Sequence, residues 1–366
     1  MIGGAVHFCT FTGKAAHVLQ QKGCPSATTI HSLIYNPRDK SKKKLKQLEQ
    51  DLAEAMEILR KENPELTDFS EYPAIKNIQE ALDSEKKNMS RPSFTLNTDS
   101  EAKHAALIVV DECSMVDETM GEDLLSFGVK VLVLGDPGQL PPVKGTGFFM
   151  NSPVDFMLTE IHRQARDNPI IKLATMIRNG EPLPLGLYGE SRVVEKGSID
   201  PMAAAQVDQI IVGRNKTRHG TNKRVRDLLG ITEPFPIAGD KIVCLRNDHE
   251  LGLLNGALYY IRDVGGVADD SIVMTIQPHK EIDGGEFLVT AHMHHFQGRE
   301  NELGWWQKKE AQEFDYGYAL TAHKSQGSQW KEVLVFDESA CFRQDAQKWL
   351  YTAVTRAEEK VTIVRV

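Results

Sequence analysis

The chain lacks a phosphate-binding loop: the pattern G-x-x-x-x-G-K-[ST] occurs nowhere in its 366 residues. The nearest string, Thr12-Gly13-Lys14-Ala15, has Phe8 where the first glycine belongs and alanine where a magnesium-binding hydroxyl belongs. Cysteine is scarce. The five residues, Cys9, Cys24, Cys113, Cys244 and Cys341, are odd in number and form no C-x-x-C pair, which speaks against a disulfide framework or a cysteine zinc cluster. No run reaches the roughly 20 apolar residues of a membrane helix, and Met1-Ile2-Gly3-Gly4 does not read as a signal peptide. These absences predict a cytoplasmic protein with no membrane partner. Excess positive charge is missing too. A formal net charge of -8 argues against coating by nucleic acid through bulk charge, while a local basic track along one strand stays compatible with it.

What is present is ordinary for a soluble globular protein, with 41% hydrophobic and 26% charged residues, and the length suits two or more packed units. Two apolar runs stand out for how they end. Ile108-Val109-Val110 runs into Asp111-Glu112, and Val131 to Leu134 runs into Gly135-Asp136-Pro137-Gly138-Gln139-Leu140-Pro141-Pro142. The carboxyl ends of buried strands are where an α/β sheet keeps its chemistry. In a phosphate-hydrolysing site an aspartate there holds Mg2+ and an adjacent glutamate polarises the attacking water, roles that suit Asp111 and Glu112. An isolated Asp-Glu reads equally well as a surface turn. Gln139 is placed to sense a γ-phosphate, and Pro141-Pro142 would stiffen the connection to a nucleic-acid track.

Around these runs, residues 5–12 read as a strand and 13–21 as a helix closed by Gly23. Residues 36–105 read as an insertion. It carries a lysine run at Lys40, Lys42, Lys43, Lys44 and Lys46, a charged helix over 45–62, and a small hairpin near 91–100. Gln209 to Gly213, Lys241 to Leu245 and Val333 to Phe336 read as buried strands of a second sheet. Residues 246–312 hold short β-like runs at 258–264, 271–277 and 286–292, which predict a small β-barrel.

Five ordered strings carry a family resemblance: Asp111-Glu112-Cys113-Ser114-Met115, the Gly135 to Pro142 segment, Ile161-His162-Arg163-Gln164, Leu320-Thr321-Ala322-His323-Lys324-Ser325-Gln326-Gly327 and Tyr351-Thr352-Ala353-Val354-Thr355-Arg356. They resemble motifs II to VI of superfamily 1B DNA helicases of the RecD-like and Dda-like group. Thr12-Gly13-Lys14-Ala15-Ala16 resembles motif Ia, and Thr29 to Leu33 the segment after it. The resemblance implies an α/β fold of two RecA-like parallel-sheet domains with a helical and hairpin insertion and a small β-barrel insertion. The first domain would span 1–160, with its insertion at 36–105. The second would span 161–245 and 313–366, with the barrel at 246–312. It further implies ATP and Mg2+ between the domains, single-stranded and fork DNA as partners, and 5′-to-3′ movement.

Carried over by position, Arg163 and Arg356 would reach the γ-phosphate as arginine fingers, as suits a permanently charged, bidentate guanidinium. Arg163 alone reads as well as a surface ion pair. Thr12, Lys14, His31, Ser32, Thr321, His323 and Lys324 would face the DNA backbone, with Pro142 beside them. Gln329 would meet the nucleotide sugar. Phe94 reads first as a solvent-shielded core phenylalanine, and the resemblance implies instead a place on a duplex-splitting pin. Packing is the simpler reading of Trp305-Trp306, and a solvated face that of the lysine run. His292, His294 and His295 lack an acidic or cysteine partner at ligand spacing.

The family's first motif has no counterpart here, and with it the strand before it and most of the helix after it. Three readings follow. The 366 residues are the larger part of a helicase; or a separate polypeptide supplies the phosphate loop in trans; or the chain is an ATP-independent single-strand-binding or loading module. On either of the first two, the chain by itself is expected to be a very poor ATPase.

Overall fold

Apolar runs without polar alternation build strands covered on both faces, and the computed structural model shows how they are covered. It describes residues 4–37, 42–62, 72–90, 94–142, 147–158, 168–248, 250–268, 270–279, 285–303 and 311–366. The chain divides into two compact units, Met1–Ile30 with Ala102–Val366, and His31–Glu101.

In chain order the first strands are β1 (Val6–Thr10), β2 (Thr28–Thr29), β3 (Tyr35–Pro37), β4 (Phe94–Leu96), β5 (Leu107–Asp111) and β6 (Val131–Val133). β2, β1, β5 and β6 form a parallel sheet in that order, so the ends of β1 and β5 lie side by side, Thr10 opposite Asp111. In the smaller unit β3 pairs antiparallel with β4, Tyr35 opposite Leu96 and Pro37 opposite Phe94. The expected local hairpin near 91–100 is therefore a ribbon made with residues 35–37, and the helices Lys42–Glu62 and Pro73–Ser90 lie between its strands in sequence. Phe94 finds its neighbours there, with ring centroids 5.5 Å from His31 and 6.3 Å from Tyr35.

The second parallel arrangement uses β7 (Gly186–Tyr188), β8 (Ser191–Glu195), β9 (Gln209–Val212), β15 (Ala319–Thr321), β16 (Trp330–Asp337) and β17 (Ala357–Arg365), in the order β15-β9-β16-β17-β8-β7. Only the β7–β8 pair is antiparallel. Strand alternation sends Ile211, Val333, Val335 and Ile363 to a core shared with Leu173 and Trp349, from the helices Pro169–Asn179 and Ala346–Val354. Ile210, Val212, Leu334 and Val364 go to the opposite core with Val225 of the helix Asn215–Leu228. Both faces are covered, as the apolar runs require.

A third sheet is antiparallel: β10 (Lys241–Cys244), β11 (Leu258–Ala268), β12 (Ser271–Pro278), β13 (Phe287–His292) and β14 (Phe314–Tyr316), ordered β13-β12-β11-β10-β14. Lys241 to Leu245, expected in the second parallel sheet, belongs here instead. The reason is double burial: Ile242 and Cys244 pack into this sheet's own core, whereas Val243 joins the core of the parallel sheet. Where a small β-barrel was expected, the described residues form a five-stranded sheet, and Ala291 of β13 bridges to Gln312, two residues before β14.

A buried ion pair ties the two sheets. Arg226 donates from Nε to Asp240 Oδ1 at 3.0 Å and from Nη2 to Oδ2 at 3.1 Å, and its remaining donors reach the Glu233 and Phe235 carbonyls. Tyr318 donates to Asp240 Oδ1 at 2.8 Å. Asp240→Ala strands a buried guanidinium, so urea unfolding should show a loss of about 3–5 kcal/mol; a loss near zero would mean that this pair does not hold the sheets together.

Candidate functional site

The site starts where β5 stops. Asp111 turns one carboxylate oxygen back to accept the Glu112 N–H at 2.9 Å. Glu112 adopts a left-handed backbone, φ 53° and ψ 49°, a conformation unusual for a residue with a side chain. Gly135 makes this tight turn possible, since a Cβ there would lie 2.4 Å from Cys113 Sγ. The exit of β6 is thereby pressed against the Asp-Glu turn, and Leu134 N–H donates to Val110 O at 2.7 Å.

Burial pushes the Glu112 carboxyl above the ordinary carboxylate range. The Arg356 guanidinium opposes that shift, Asp111 adds to it, and a hydrogen bond from the Gln139 side chain opposes it. Gln139 is 8% exposed, and its Oε1 has no hydrogen-bond partner among the described residues. Asp111 and this amide oxygen are hard oxygen donors of the kind Mg2+ takes, so the residues present fit such an ion.

The loop carrying Gln139 is held from far along the chain. Leu140 is 1% exposed and sits in the core of the second parallel sheet with Trp349 and Leu320. Its N–H donates to Thr352 Oγ1 at 2.9 Å, and its carbonyl accepts from Gln326 Nε2 at 3.1 Å. Asp136 accepts the Gly138 N–H at 2.9 Å and the Tyr351 hydroxyl at 2.6 Å. Beyond the helix Ala346–Val354, Arg356 is buried and donates to Thr352 O, Ser328 O and Thr355 Oγ1. Burial lowers its pKa and Glu112 raises it; a guanidinium stays charged under either influence. Asp111, Glu112, Gln139 and Arg356, spread over more than 240 residues, thus gather in one place.

The other expected residues divide. Thr12 caps the helix Gly13–Gln21, accepting Ala15 N–H at 3.2 Å. Gly327, with φ 74°, comes to where a Cβ would be 3.5 Å from both Thr12 Oγ1 and Ala15 Cβ. Lys14 and Thr321, expected to face a DNA backbone, are instead buried. Lys14 donates to Ser328 Oγ at 2.7 Å and lies over the Trp330 ring, while Thr321 accepts the Lys324 N–H at 3.4 Å. His323 is half-buried beside Phe342, and burial lowers its pKa. Lys324 is half-buried as well; burial, helped by Arg218, brings its ammonium down to about 8. Pro142 is half-buried and Gln329 exposed. In the smaller unit Ser32 is exposed and His31 half-buried; Phe94 is 47% exposed, which does not fit a core phenylalanine. Arg163 lies outside the described residues, as do Trp305 and Trp306. No group of three metal-ligating side chains occurs among the described residues, the histidines near 292–295 included.

Sequence reasoning gave no role to Asp136, Gln326, Ser328, Tyr351 or Thr352. Most of them stand inside the strings quoted above, and a polar residue next to an expected site residue was the available signal.

Residues 1–198 match the AAA domain family and residues 316–364 the UvrD-like helicase C-terminal domain. The ATP-dependent RecD2 DNA helicase of Deinococcus radiodurans is 27% identical over 284 residues, covering 69% of this chain and 35% of that protein. The RecBCD enzyme subunit RecD of Mycobacterium tuberculosis is 27% identical over 295 residues, covering 70% and 49%. The chain thus spans about a third to a half of the length of these curated relatives. A structure of two coordinating Pif1 helicases at forked double-stranded DNA superposes with a TM-score of 0.51 at 17% identity, covering 98% of this chain and 82% of that one, a likeness of fold.

Because Arg356 opposes the upward shift of Glu112, removing its charge must let the carboxyl titrate at higher pH. Carboxyl-carbon NMR of Arg356→Gln should show the Glu112 midpoint moved upward from the parent; an unmoved midpoint would mean that the two groups do not interact.

Proposed function

The chain belongs to the AAA domain family, and we propose that it is the working part of an ATP-driven, single-stranded-DNA helicase or translocase of the RecD-like superfamily 1B kind. The observation that carries this reading is the meeting of Glu112, Gln139 and Arg356 at the end of β5. Few tasks need a base, an amide sensor and a permanent cation around one point beside an aspartate, and phosphoryl transfer to water is one of them. In this reading Glu112 accepts the proton of the attacking water, for which a raised pKa is suitable. Arg356 leaves its carbonyl partners to stabilise charge on the transferring phosphoryl group, with Arg163 as a second cation by resemblance. Asp111 would hold Mg2+, which when bound neutralises phosphate charge. Gln329 would meet the nucleotide sugar.

By the family resemblance, His31, Ser32 and Phe94 are DNA-contacting residues of the smaller unit, and Thr12, Pro142, His323 and Lys324 are DNA-contacting residues of the larger one, each set by itself. Lys14 and Thr321 would act from beneath, fixing the segments that carry the half-buried groups of the larger unit. Fork DNA and 5′-to-3′ movement come from the family resemblance. Because no G-x-x-x-x-G-K-[ST] occurs in these 366 residues, the phosphate cradle is assigned to residues outside this sequence, contiguous or in trans. The side of β6 that no strand among the described residues covers, where Leu132 is 48% exposed and Leu134 just beyond the strand is 45% exposed, suits an added parallel strand bearing that loop. The same missing pattern favours a second reading, an ATP-independent single-strand-binding or loading module.

The 366-residue polypeptide should bind single-stranded DNA and show no Glu112-dependent ATP hydrolysis. Adding a strand–P-loop–helix segment, fused or in trans, should switch on DNA-stimulated hydrolysis that Glu112→Gln lowers by on the order of 10²- to 10⁴-fold. Turnover without the added segment would place the cradle within these residues. Single-strand binding with no turnover in either form would favour the loading module, and failure to bind single strands would sink both readings.

Lys324 supplies a pH test. Its ammonium titrates at about 8 and only the protonated form attracts phosphate, so single-strand affinity should fall between pH 7 and pH 9. Lys324→Arg should flatten that fall in an anisotropy titration; an unchanged fall would take Lys324 off the track.

A further inference from the structure

Two consecutive residues of the helix Ala346–Val354 grip the loop that carries Gln139. Thr352 accepts the Leu140 N–H, and Tyr351 donates its hydroxyl to Asp136 Oδ2 at 2.6 Å. The second bond differs in kind, because its acceptor is itself part of the loop. Asp136 Oδ1 accepts the Gly138 N–H at 2.9 Å, and the Asp136 carbonyl accepts the Gln139 N–H at 3.0 Å. One aspartate thereby folds the turn that presents Gln139, and one phenol holds that aspartate. The ring is pressed against the turn: a Cβ at position 138 would lie 3.1 Å from Tyr351 Cε1 and 3.2 Å from Asp136 Oδ1. Burial and the bond to Asp136 both keep the phenol protonated and therefore a donor. The same helix ends two residues before Arg356, whose Nε donates to Thr352 O at 3.1 Å.

We propose that Tyr351 is a positioning residue for the hydrolytic site, a latch that makes the Gln139 turn and the Arg356 segment move as one body. It rests on the hydrolase reading given above. When the helix shifts to bring Arg356 toward phosphate, the phenol carries Asp136 with it, so that the turn presenting Gln139 beside Glu112 moves in register with Arg356. Thr352 cannot substitute, because it bonds the loop one residue beyond Gln139, whereas the phenol bonds the aspartate that folds the turn.

Amide hydrogen exchange on the full 366-residue chain tests the latch without any need for turnover. In Tyr351→Phe, which keeps the ring and loses the donor, the Gly138 and Gln139 amides should exchange about 10- to 100-fold faster, with core amides of β9 and β16 unchanged. With the phosphate loop supplied, Tyr351→Phe and Asp136→Asn should each lower kcat about tenfold with KM for ATP held within about twofold, and the double variant should fall no further than either alone. Unchanged exchange at Gly138 and Gln139, or additive losses in kcat, would overturn the proposal. Altered exchange in a chain that never hydrolyses ATP would leave the latch standing and remove the hydrolase reading.

Discussion

Leu140 is the constraint on which the candidate site depends. Its side chain is in one sheet's core, while the loop that carries it springs from the other sheet. Burying a leucine is worth roughly 1.5–3 kcal/mol, and its two backbone bonds to Thr352 and Gln326 would each cost about 1–3 kcal/mol to leave unmade in the interior. The loop therefore cannot drift from the second sheet without leaving apolar surface and polar groups stranded. Gln139 inherits that fixity from its neighbour.

Fixity of this kind makes the electrostatics of the turn possible. Glu112 occupies a strained left-handed conformation and is largely withdrawn from water beside Asp111. Withdrawal from water and the neighbouring Asp111 both disfavour the carboxylate. The guanidinium of Arg356 and the amide of Gln139 oppose them, and they arrive from segments that Leu140, Thr352 and Ser328 hold in place. On the proposed reading, a cation that left Glu112 for phosphate would change the basicity of Glu112 as it left, linking positioning and proton transfer through one charge.

How much of this the sequence reveals depends on how far apart the interacting residues stand. The strand ending in Asp111-Glu112 announces itself, because an apolar run closing on acidic side chains is a local signal. The burial of Lys14 does not, since its acceptor Ser328 is 314 positions away. Phe94 pairs across to residues 35–37 rather than within its own neighbourhood, with Thr95 donating to Asn36 O 59 positions back. The run from Lys241 to Leu245 reads as a strand of the second parallel sheet because a strand wedged between two cores has no polar face to betray its partner. Tyr351 stood in view inside a recognised string, yet nothing local to it points to Asp136, 215 positions earlier.

On the proposed reading, one loop mechanically joins the side of this protein that would meet nucleotide to the side that would meet nucleic acid. Linkage then requires that a nucleotide analogue change the affinity for single-stranded DNA, and that DNA change the affinity for the analogue by the same factor. The most direct measurement is the single-strand dissociation constant of the chain with its phosphate loop supplied, taken with and without a non-hydrolysable ATP analogue at fixed salt. The account predicts a change of about 5- to 150-fold, matched in the reciprocal titration. Equal affinities with and without the bound analogue would contradict it.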